Sequence, residues 1–362
     1  MELSQLKPPS ARKSPAKSAT FLSEILGEET ASGQVMPTGA ILELMDLVAG
    51  RVAFSHADGI VATVSVDRVD LLVPLCHMDL VRVEGEIVSV GASSMIVAVK
   101  VLKHDIQTRK FVHAAFSFIT MVALNPDLKP KKDVPKLDLP DDETARSDAL
   151  AQRRKQLAEE WVQMQREVDD QSEKLSTVTV EEDTNKEKRE FLTIPETEVI
   201  VRKQSLPRHL NHNNTIFGGD ILKWMEQTAT YAARRFTGNS HVLTISMNRV
   251  SFKHPLTHRD VVDMRAYVVY VRTYVLEVEV LAYLDRIDAQ INSHVGHFTI
   301  LNLDPLGFKR PIVVGIRLRD EDPEQLKRYE KAKRRFHFNR KEEATQTRSR
   351  GEGEFRTFWL SA

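Results

Sequence analysis

The feature that most constrains this chain is a repeat within its own sequence. Residues Val64–Val69 (V-S-V-D-R-V) return as Ile245–Val250 (I-S-M-N-R-V), 181 positions later. The match continues at this separation, without a gap, to residue 280, and it extends upstream to Gly39 and Gly219, which are 180 positions apart. A match of this length and order is improbable by chance, so the chain contains two copies of one fold unit. At about 100–200 residues per domain, 362 residues have room for both copies.

Each copy carries the same succession of patterns: a glycine-containing loop, an apolar helical run and a series of β-rich runs. The helical runs are Ile41–Phe54, which is apolar nearly all round and therefore predicted to be buried, and Ile221–Phe236. The alternation and the β-branched content of the remaining runs predict antiparallel strands. These runs are Ile60–Val66, Val81–Val90, Met95–Leu102, Phe111–Leu124, His241–Phe252, Val261–Val271, Tyr274–Leu284 and Ile291–Leu303. A sheet that curls round the helix buries its apolar sides, which is the hotdog architecture. We therefore predict an α+β chain with two tandem hotdog domains, each a long helix wrapped by a curled antiparallel sheet.

Composition and charge patterns place the domain boundaries. The predicted division is a disordered tail at 1–20, a first hotdog domain at 21–130, a linker with a polar helix at 131–190, a second hotdog domain at 191–312, and a helical, then disordered, tail at 313–362. The polar helices are expected at about 141–175 and 322–340, with disorder after Thr345. The basic run Arg153–Lys155 on the first polar helix is interpreted as a solvated face or an interdomain strut.

The bulk composition excludes several classes of protein. Lys+Arg and Asp+Glu both number 51, so no net charge attracts nucleic acid or an anionic membrane. The single cysteine, Cys76, excludes an intramolecular disulfide and a cysteine-rich zinc site, and it fits a reducing compartment. Cys76 follows an apolar stretch and is predicted to be a buried structural residue rather than a nucleophile. No apolar run reaches the roughly 18 residues that span a bilayer.

An acidic residue stands in the middle of each apolar helix, Asp46 in the first copy and Glu226 in the second. A carboxylate in a buried helix is unfavourable unless it is paired, hydrated or used, and burial raises its pKa toward the range of a general base. A hydrated side of the helix would explain Asp46 on its own. The acid at the same place in the second copy favours a functional role, although both copies descend from one ancestor.

A polar loop, residues 209–219, precedes the second helix and ends in F-G-G. Paired glycines let a ligand approach the backbone, and free amides at a helix N-terminus stabilise a carbonyl oxygen that becomes an oxyanion. Helix capping by asparagine and threonine would explain the loop without a ligand. The first copy of the loop, residues 34–39, has one glycine fewer and gains a proline. The copies are thus complementary, which predicts one complete site formed by Asp46 and the Asn214–Gly219 loop.

Three pairs of histidines stand at spacings that invite a zinc-site interpretation. They are His209 with His212, His254 with His258, and His294 with His297. By the predicted elements these pairs fall in loops or strands, and strand residues three apart point to opposite faces of the sheet. We therefore predict no metal site.

On these residues the chain resembles the tandem-hotdog acyl-CoA thioesterases of eukaryotes, from about residue 33 to about residue 304. The matching segments are Gly39–Gly50, Val64–Val69, Ile216–Glu226 and His297–Thr299. The F-G-G sequence followed by an acid-bearing helix is a motif of this family, and its degenerate form in the first copy is a further likeness. One position departs from the pattern. Many relatives have asparagine two residues before the Phe or His of the glycine motif, where this chain has Thr215.

The resemblance implies hydrolysis of acyl-CoA thioesters to a free fatty acid and coenzyme A. In such enzymes the helix acid of one domain faces the glycine loop of the other. The implied roles are a water-activating Asp46, carbonyl-binding amides at Gly218 and Gly219, a polarising Asn213 or Asn214, and a second, less complete site at Glu226. Independently of the resemblance, Lys253 and Arg259 lie near a strand turn of the second unit and are candidates, like the basic run 153–155, for the phosphates of coenzyme A. Thr215 is a further candidate contact to coenzyme A.

Coenzyme A is part of the substrate in this interpretation, so no cofactor is expected. The alternative function is a catalytically inactive acyl-CoA-binding or scaffolding protein. Hydration of an enoyl thioester usually pairs a histidine with an aspartate on the helix, and neither predicted helical run contains histidine. We expect no nucleic-acid partner, no membrane span and a homo-oligomer, as a trimer of double-hotdog chains. The expected compartment is the cytoplasm, and the basic N-terminus, with Lys7, makes the mitochondrion the alternative.

Overall fold

The computed structural model describes residues 12–27, 35–170, 180, 188–211, 213–286, 289–319 and 321–349. Within these residues the chain forms four α-helices and sixteen strands. The helices are α1 Thr38–Ala57, α2 Asp141–Asp170, α3 Gly218–Thr237 and α4 Pro323–Ser349. The strands of the first half are β1 Arg12–Lys13, β2 Thr20–Ile25, β3 Val61–Val66, β4 Val69–Leu71, β5 Leu80–Val90, β6 Ser94–Asp105, β7 Lys110–Ala123 and β8 Lys136–Leu137. The strands of the second half are β9 Glu190–Leu192, β10 Val199–Gln204, β11 Val242–Met247, β12 Val250–Ser251, β13 Val261–Val271, β14 Val275–Arg286, β15 Ala289–Asn302 and β16 Val314–Ile316.

The predicted α+β class with two tandem hotdog units is confirmed. Helix α1 packs against β3, β5, β6 and β7, and α3 packs against β10, β13, β14 and β15. The strands of both units form one twelve-stranded sheet in the order β10-β13-β14-β15-β11-β4-β7-β6-β5-β2, while β3 and β12 pair with each other beside this path. Antiparallel hairpins build each half, because the long strands follow one another with short turns.

The two units join at a seam, the antiparallel pairing of β4 with β11 and of β3 with β12. The residues paired across it are Asp70 with Ser246, Val69 with Met247, Ser65 with Ser251, and Val66 with Val250. Moving each first-unit residue forward by 181 positions, and its partner back by 181, converts one set of pairs into the other. The sequence repeat is therefore a two-fold relation in space, and the pairing protects an edge that each unit alone would expose.

Helices α1 and α3 pack against each other inside the curled sheet. Their apolar sides join one core, in which Val52, Ala53 and Met225 are fully buried. The apolar pattern of α1 predicts burial all round, and the structure corrects this. One side of the helix faces away from the sheet and leaves Leu47 48% and Phe54 40% exposed.

Helices α2 and α4 pack against each other and reach the seam. Arg154 on α2 pairs with Asp67 at 2.8 Å, so part of the basic run acts as a strut, whereas Lys155 remains exposed. On α4, the backbone carbonyl of Asn339 accepts a hydrogen bond from Arg68 at 3.0 Å. Arg335 of α4 is buried and pairs with Glu277 of β14 at 2.6 Å. These polar contacts fasten both helices to the sheet.

The predicted disordered tail, 1–20, is ordered in its C-terminal part, residues 12–20. Strand β1 pairs in parallel with β8, and β2 pairs with the edge strand β5. Lys13 donates to the carbonyl of His56 at 3.0 Å, where a cation is favourable because the C-terminus of α1 carries negative partial charge. Strands β1 and β2 have only two and six residues, which is too short for a recognisable alternation of apolar and polar residues. The sequence therefore does not predict them. Lys7 lies outside the described residues.

The C-terminal helix also departs from the prediction. Helix α4 continues to Ser349, past Thr345, where disorder was expected to begin. The sequence of its last two turns is polar and lacks the apolar stripe by which an amphipathic helix is predicted. Residues 350–362, like 171–179 at the end of the first polar helix, lie outside the described residues.

Two further sequence expectations change in the structure. Helix α1 extends to Ala57 and so contains the buried His56, which is three turns beyond Asp46 and contacts the carbonyl of Pro135 at 2.8 Å. Cys76 is half-buried rather than buried, and desolvation raises the pKa of its thiol, which disfavours a thiolate. Among the described helices, none is both long and apolar enough to cross a membrane.

Candidate active site

Asp46 is fully buried where α1 meets the first turn of α3. Its Oδ2 accepts a hydrogen bond from the backbone amide of Gly219 in the other unit at 2.7 Å, and its Oδ1 accepts one from the Thr63 hydroxyl at 2.8 Å. Desolvation raises the pKa of Asp46 from 3.8 to about 6, against the smaller lowering effects of the Thr63 and Gly219 hydrogen bonds. A carboxyl with that pKa is ionised at neutral pH and basic enough to accept a proton.

The paired glycines allow α1 and α3 to meet this closely. A Cβ at Gly219 would lie 2.9 Å from Cα of Glu43, and a Cβ at Gly218 would lie 2.9 Å from Oδ2 of Asp46. Both distances are shorter than a side chain tolerates, so only glycine brings the start of α3 against Asp46. The Gly219 amide is used on Asp46. The Gly218 amide, at the first helical position, has no hydrogen-bond partner among the described residues.

The hydroxyl partner of Asp46 has a counterpart in the second unit. Thr63 and Thr244 stand 181 positions apart, and Thr244 donates to Oε1 of Glu226 at 2.7 Å. Reasoning from the sequence missed both threonines, because Thr in a strand is common and carries no signal of its own. The sequence repeat could have identified them, because Thr63 and Thr244 occupy the same position in the two copies.

The asparagine-rich loop is organised by Asn211, whose side chain accepts hydrogen bonds from the amides of Asn213 and Thr215 at 2.8 and 3.2 Å. Asn214 is exposed and has a φ of 56°, a conformation that asparagine adopts more readily than most residues. Thr215 also donates its hydroxyl to Asn211 at 3.1 Å. The structure therefore gives Asn214 and Thr215 contacts that shape the loop and does not bring them to Asp46.

Asn213 reaches across to the first unit. Its Nδ2 donates to the carbonyl of Val61 at 3.1 Å, two residues before Thr63. Its Oδ1 is buried and has no partner among the described residues. Of the two asparagines predicted to polarise a carbonyl, Asn213 is the one that the loop directs toward the strand bearing Thr63.

The second acid, Glu226, occupies the symmetry-related position and is also buried. Desolvation raises its pKa, while hydrogen bonds from Thr244, Thr230 and the Gly39 amide lower it. A Cβ at Gly39 would lie 3.0 Å from Oε2 of Glu226. The same acid, threonine and glycine thus recur at both places.

The two places differ in free space. Thr38 stands where the Asp46 site has Gly218, and its buried hydroxyl donates to the carbonyl of Thr244 at 2.6 Å. Thr230 bonds Glu226 at 2.9 Å, whereas a Cβ at the corresponding Gly50 would meet nothing within 4 Å. Side chains therefore fill the surroundings of Glu226, whereas the matching positions near Asp46, Gly218 and Gly50, are glycines.

The cationic residues predicted to contact coenzyme A lie on the loop that follows β12. Lys253 and Arg259 are both exposed. Lys253 follows Phe252, whose Cε1 would lie 3.4 Å from a Cβ at Gly218. This loop therefore borders the Asp46 site, and its two cations lie at the protein surface.

The histidine pairs do not converge. His294 and His297 lie on β15 and face opposite sides of the sheet: His294 packs on Phe252, while His297 contacts Glu279 and Trp161. His212 lies outside the described residues. Within the part of the chain that the structure describes, no three His, Cys, Asp or Glu side chains are grouped to hold a metal ion.

A polar cavity of about 610 Å³ opens beside the first turn of α3. Lys203, Arg208 and Lys223 line it together with Glu43 and Asp220. Desolvation and the nearby Glu43 carboxylate raise the pKa of Asp220 to about 6. The Asp46 site thus borders a second titratable acid on the side of Glu43.

Comparisons with known proteins agree with two tandem copies of one domain. The thioesterase superfamily model matches residues 33–110 and 213–288. Mouse acyl-coenzyme A thioesterase 11 is 26% identical over 302 residues, which cover 82% of this chain and 48% of the relative. The uncharacterized acyl-CoA thioester hydrolase YkhA of Bacillus subtilis is 39% identical over 92 residues, which cover 25% of this chain and 54% of the relative. The chain thus spans about half the length of these relatives.

Among solved structures, an acyl-CoA hydrolase from Staphylococcus aureus in complex with butyryl coenzyme A, coenzyme A and coenzyme A disulfide is 28% identical. The match covers 44% of this chain and 97% of that one, with a TM-score of 0.39.

Proposed function

The chain belongs to the thioesterase superfamily, whose domain it carries twice in tandem, and we propose that it hydrolyses acyl-CoA thioesters to a fatty acid and coenzyme A. The observation that carries the proposal is the contact across the two units. Asp46 of the first unit, with its pKa raised to about 6, lies against Gly218 and Gly219 at the start of α3 in the second. A general base beside the amide end of a helix is what addition of water to a carbonyl requires.

In the proposed mechanism, the Asp46 carboxylate takes a proton from water while the water oxygen adds to the thioester carbonyl. Thr63 and the Gly219 amide hold the carboxylate in place. The Gly218 amide and the second N–H of the Asn213 side chain stabilise the oxyanion. Collapse of this intermediate breaks the carbon–sulfur bond, and protonated Asp46 returns the proton to the coenzyme A thiolate. The products are a free fatty acid and the thiol.

The experiment measures thiol release from acyl-CoAs of graded chain length. Wild-type protein should turn over at least part of this series. Asp46→Asn keeps the shape of the side chain but removes the base, so we expect kcat/KM to fall by about 10²–10⁴-fold. Turnover on no chain length, with acyl-CoA still bound in calorimetry, would support the inactive binding protein instead.

The matched control is Glu226→Gln, which makes the same change at the second acid. Because Thr38 and Thr230 fill the space around Glu226, we expect this variant to keep near wild-type kcat/KM. If Glu226→Gln were inactive and Asp46→Asn active, the proposed assignment of the working site would be reversed.

The assembly and the compartment each have a direct test. We propose a homo-oligomer, a trimer of double-hotdog chains, from the family resemblance, and sedimentation of the purified protein measures its mass. The single cysteine supports a reducing compartment, and we propose the cytoplasm, with the mitochondrion as the alternative. Cell fractionation separates the two.

A further inference from the structure

His294 is a buried polar residue that the proposed mechanism does not use. It is 1% exposed and lies on β15, on the same side as Gly296, where an added Cβ would meet Met225 of α3. The imidazole therefore faces the inside of the curled sheet. Its Nε2 is buried and has no hydrogen-bond partner among the described residues. Buried nitrogen atoms without a hydrogen-bond partner are rare in proteins, so a bound molecule that donates a hydrogen bond to Nε2 would explain this one.

The neighbouring serine fixes which nitrogen of His294 carries the proton. The Ser293 hydroxyl donates to the carbonyl of Ala282 at 2.9 Å, and its oxygen lies 2.8 Å from Nδ1 of His294. Since the serine hydrogen is already used, Nδ1 must be the donor and Nε2 carries a lone pair. Burial, with help from the nearby His254 and Lys253, lowers the pKa of His294 to about 4. The ring is therefore neutral at physiological pH, and Nε2 remains an acceptor.

The position of His294 connects it with the Asp46 site. Its ring packs on Phe252 with centroids 5.1 Å apart, and the far edge of Phe252 would lie 3.4 Å from a Cβ at Gly218. Phe252 leads into the loop of Lys253 and His254, and both of these residues are near enough to His294 to lower its pKa. The imidazole thus stands one aromatic ring, that of Phe252, from Gly218, and the exposed Lys253 follows Phe252 in the chain.

We propose that Nε2 of His294 accepts a hydrogen bond from the pantetheine arm of acyl-CoA, at the amide N–H nearest the sulfur atom. The inference rests on the proposed function and adds a positioning residue to it. An acceptor fixed by its neighbours selects a donor, and a saturated acyl chain has none. The pantetheine amide is a donor only a few bonds from the thioester.

The test uses two small thioesters that differ only in this donor. S-acyl-N-acetylcysteamine keeps the amide N–H, and the S-acyl thioester of 2-mercaptoethyl acetate replaces it with an ester oxygen. Wild-type protein should favour the amide compound in kcat/KM by about tenfold or more, because a buried acceptor left unpaired costs about 1–3 kcal/mol. In His294→Leu this preference should disappear, since the acceptor is gone.

Full-length acyl-CoA provides the second measurement. His294→Leu should lower kcat/KM for acyl-CoA by about tenfold or more, and His294→Gln, whose amide oxygen can stand near Nε2, should restore part of the loss. The stability of His294→Leu should equal or exceed that of wild type, because it removes an unpaired buried polar atom. His113→Leu, the change at the corresponding exposed position of the first unit, should leave both measurements unchanged.

The outcomes separate this inference from the function on which it rests. If wild type hydrolyses acyl-CoA but His294→Leu lowers both small thioesters equally, or if His294→Gln is no better than His294→Leu, His294 has a structural role and the inference is wrong. If wild type hydrolyses none of the thioesters, the proposed function and the inference fail together.

Discussion

At the scale of single residues, the two acids show how surroundings separate side chains of the same origin. Both are buried, and both accept a hydrogen bond from a threonine at the same strand position. Glu226 has a second threonine, Thr230, as a donor, whereas the helix of Asp46 has glycine at that place. Each added donor stabilises the ionised form and occupies space that a water or substrate would need.

The raised pKa of Asp46 makes a prediction about the pH dependence of hydrolysis. A general base works only when it is ionised, so log kcat/KM should rise with a slope of one up to about pH 6 and level off above it. Thr63→Val removes a donor that stabilises the carboxylate and should move the midpoint to higher pH. Both profiles are measured as initial rates between about pH 4.5 and about pH 9, at steps of about one pH unit or less.

The control for this profile is Thr244→Val, which makes the same change beside Glu226. It should leave the midpoint where it is in wild type. A midpoint that moves with Thr244 and not with Thr63 would show that Glu226 controls the reaction.

The buried Asp46 carboxylate, which the proposed reaction needs, should also lower the stability of the folded protein. Raising the pKa of Asp46 from 3.8 to about 6 corresponds to about 3 kcal/mol lost from the free energy of unfolding when Asp46 ionises. The stabilising effect of this group is present below pH 4 and is lost as the pH rises toward 6. Asp46→Asn, whose amide can satisfy both Thr63 and Gly219, should therefore be more stable than wild type at pH 8.

Urea unfolding at pH 8 and pH 4 measures this difference. The variant should exceed wild type by up to about 3 kcal/mol at pH 8, and the gap should shrink at pH 4. An equal gap at both pH values would contradict the assigned cause.

Sequence reasoning could reach part of this site and not the rest. Asp46 and the glycines were accessible because an acid within an apolar helix and a repeat with unequal loops are both visible in the sequence. Thr63 was not, since hydroxyl side chains in strands have many uses. Its place in the motif predicts a catalytic role for Asn214, but the structure gives this residue a positive φ and an exposed side chain, and neither can be read from the sequence.

At the scale of elements, the site depends on how closely α1 and α3 approach. Gly219 contacts the backbone of α1 at Glu43, and Lys223 of α3 pairs with Glu43 at 2.8 Å. The helices of a hotdog unit could be predicted from their apolar runs, and so could the long strands. The edge strands β2 and β10 could not, because each has only six residues and at most one of them is buried.

Gly219→Ala tests the helix contact. The new methyl would lie 2.9 Å from Cα and 3.1 Å from the carbonyl oxygen of Glu43, which are backbone atoms that cannot turn away. The helices must separate, so we expect the free energy of unfolding to fall by about 1–3 kcal/mol and kcat/KM to fall at least tenfold. Thermal unfolding and thiol release measure the two effects.

Gly50→Ala is the matched control for stability. Gly50 lies within α1, and a Cβ there meets nothing within 4 Å. Alanine in a helix interior is favoured over glycine by about 0.5–1 kcal/mol, so this variant should be at least as stable as wild type. Equal destabilisation by both substitutions would mean that helix contact is not the reason.

At the scale of the whole molecule, few backbone pairs join the two units at the seam, and helices α2 and α4 add contacts across it. Arg68 of the first unit reaches Asn339 of α4, and Asn339 also donates to Asn248 in the second unit at 2.9 Å. The sequence predicted two polar helices after the two units, but not their packing on each other. Half-exposed ion pairs, Lys331 with Asp169 and Arg334 with Glu167, join the two helices. The buried pair of Arg335 with Glu277 fastens α4 to β14, and the partners in all three pairs are far apart in the sequence.

Arg335→Met tests these ion pairs. Removing the guanidinium leaves Glu277 buried without its partner, so we expect the free energy of unfolding to fall by about 3–5 kcal/mol. Adding Glu277→Leu should recover most of this loss, because an apolar pair of similar volume has no charge to desolvate. Lys155→Met, which breaks an exposed pair, should change stability by less than about 1 kcal/mol.

Urea unfolding of the four proteins measures these differences. A loss with Lys155→Met as large as with Arg335→Met would contradict the assigned role of burial. The turnover per folded molecule should be the same in all four, because none of the changes touches Asp46 or the glycines.

The covalent link between the units has a consequence for how the protein responds to dilution. Where two separate chains build a site between them, dilution below their dissociation constant takes the site apart. Here both halves belong to one chain, so each meets its partner at a fixed local concentration set by the linker. Turnover per molecule should therefore stay constant as the protein is diluted, down to concentrations at which a two-chain site would have vanished.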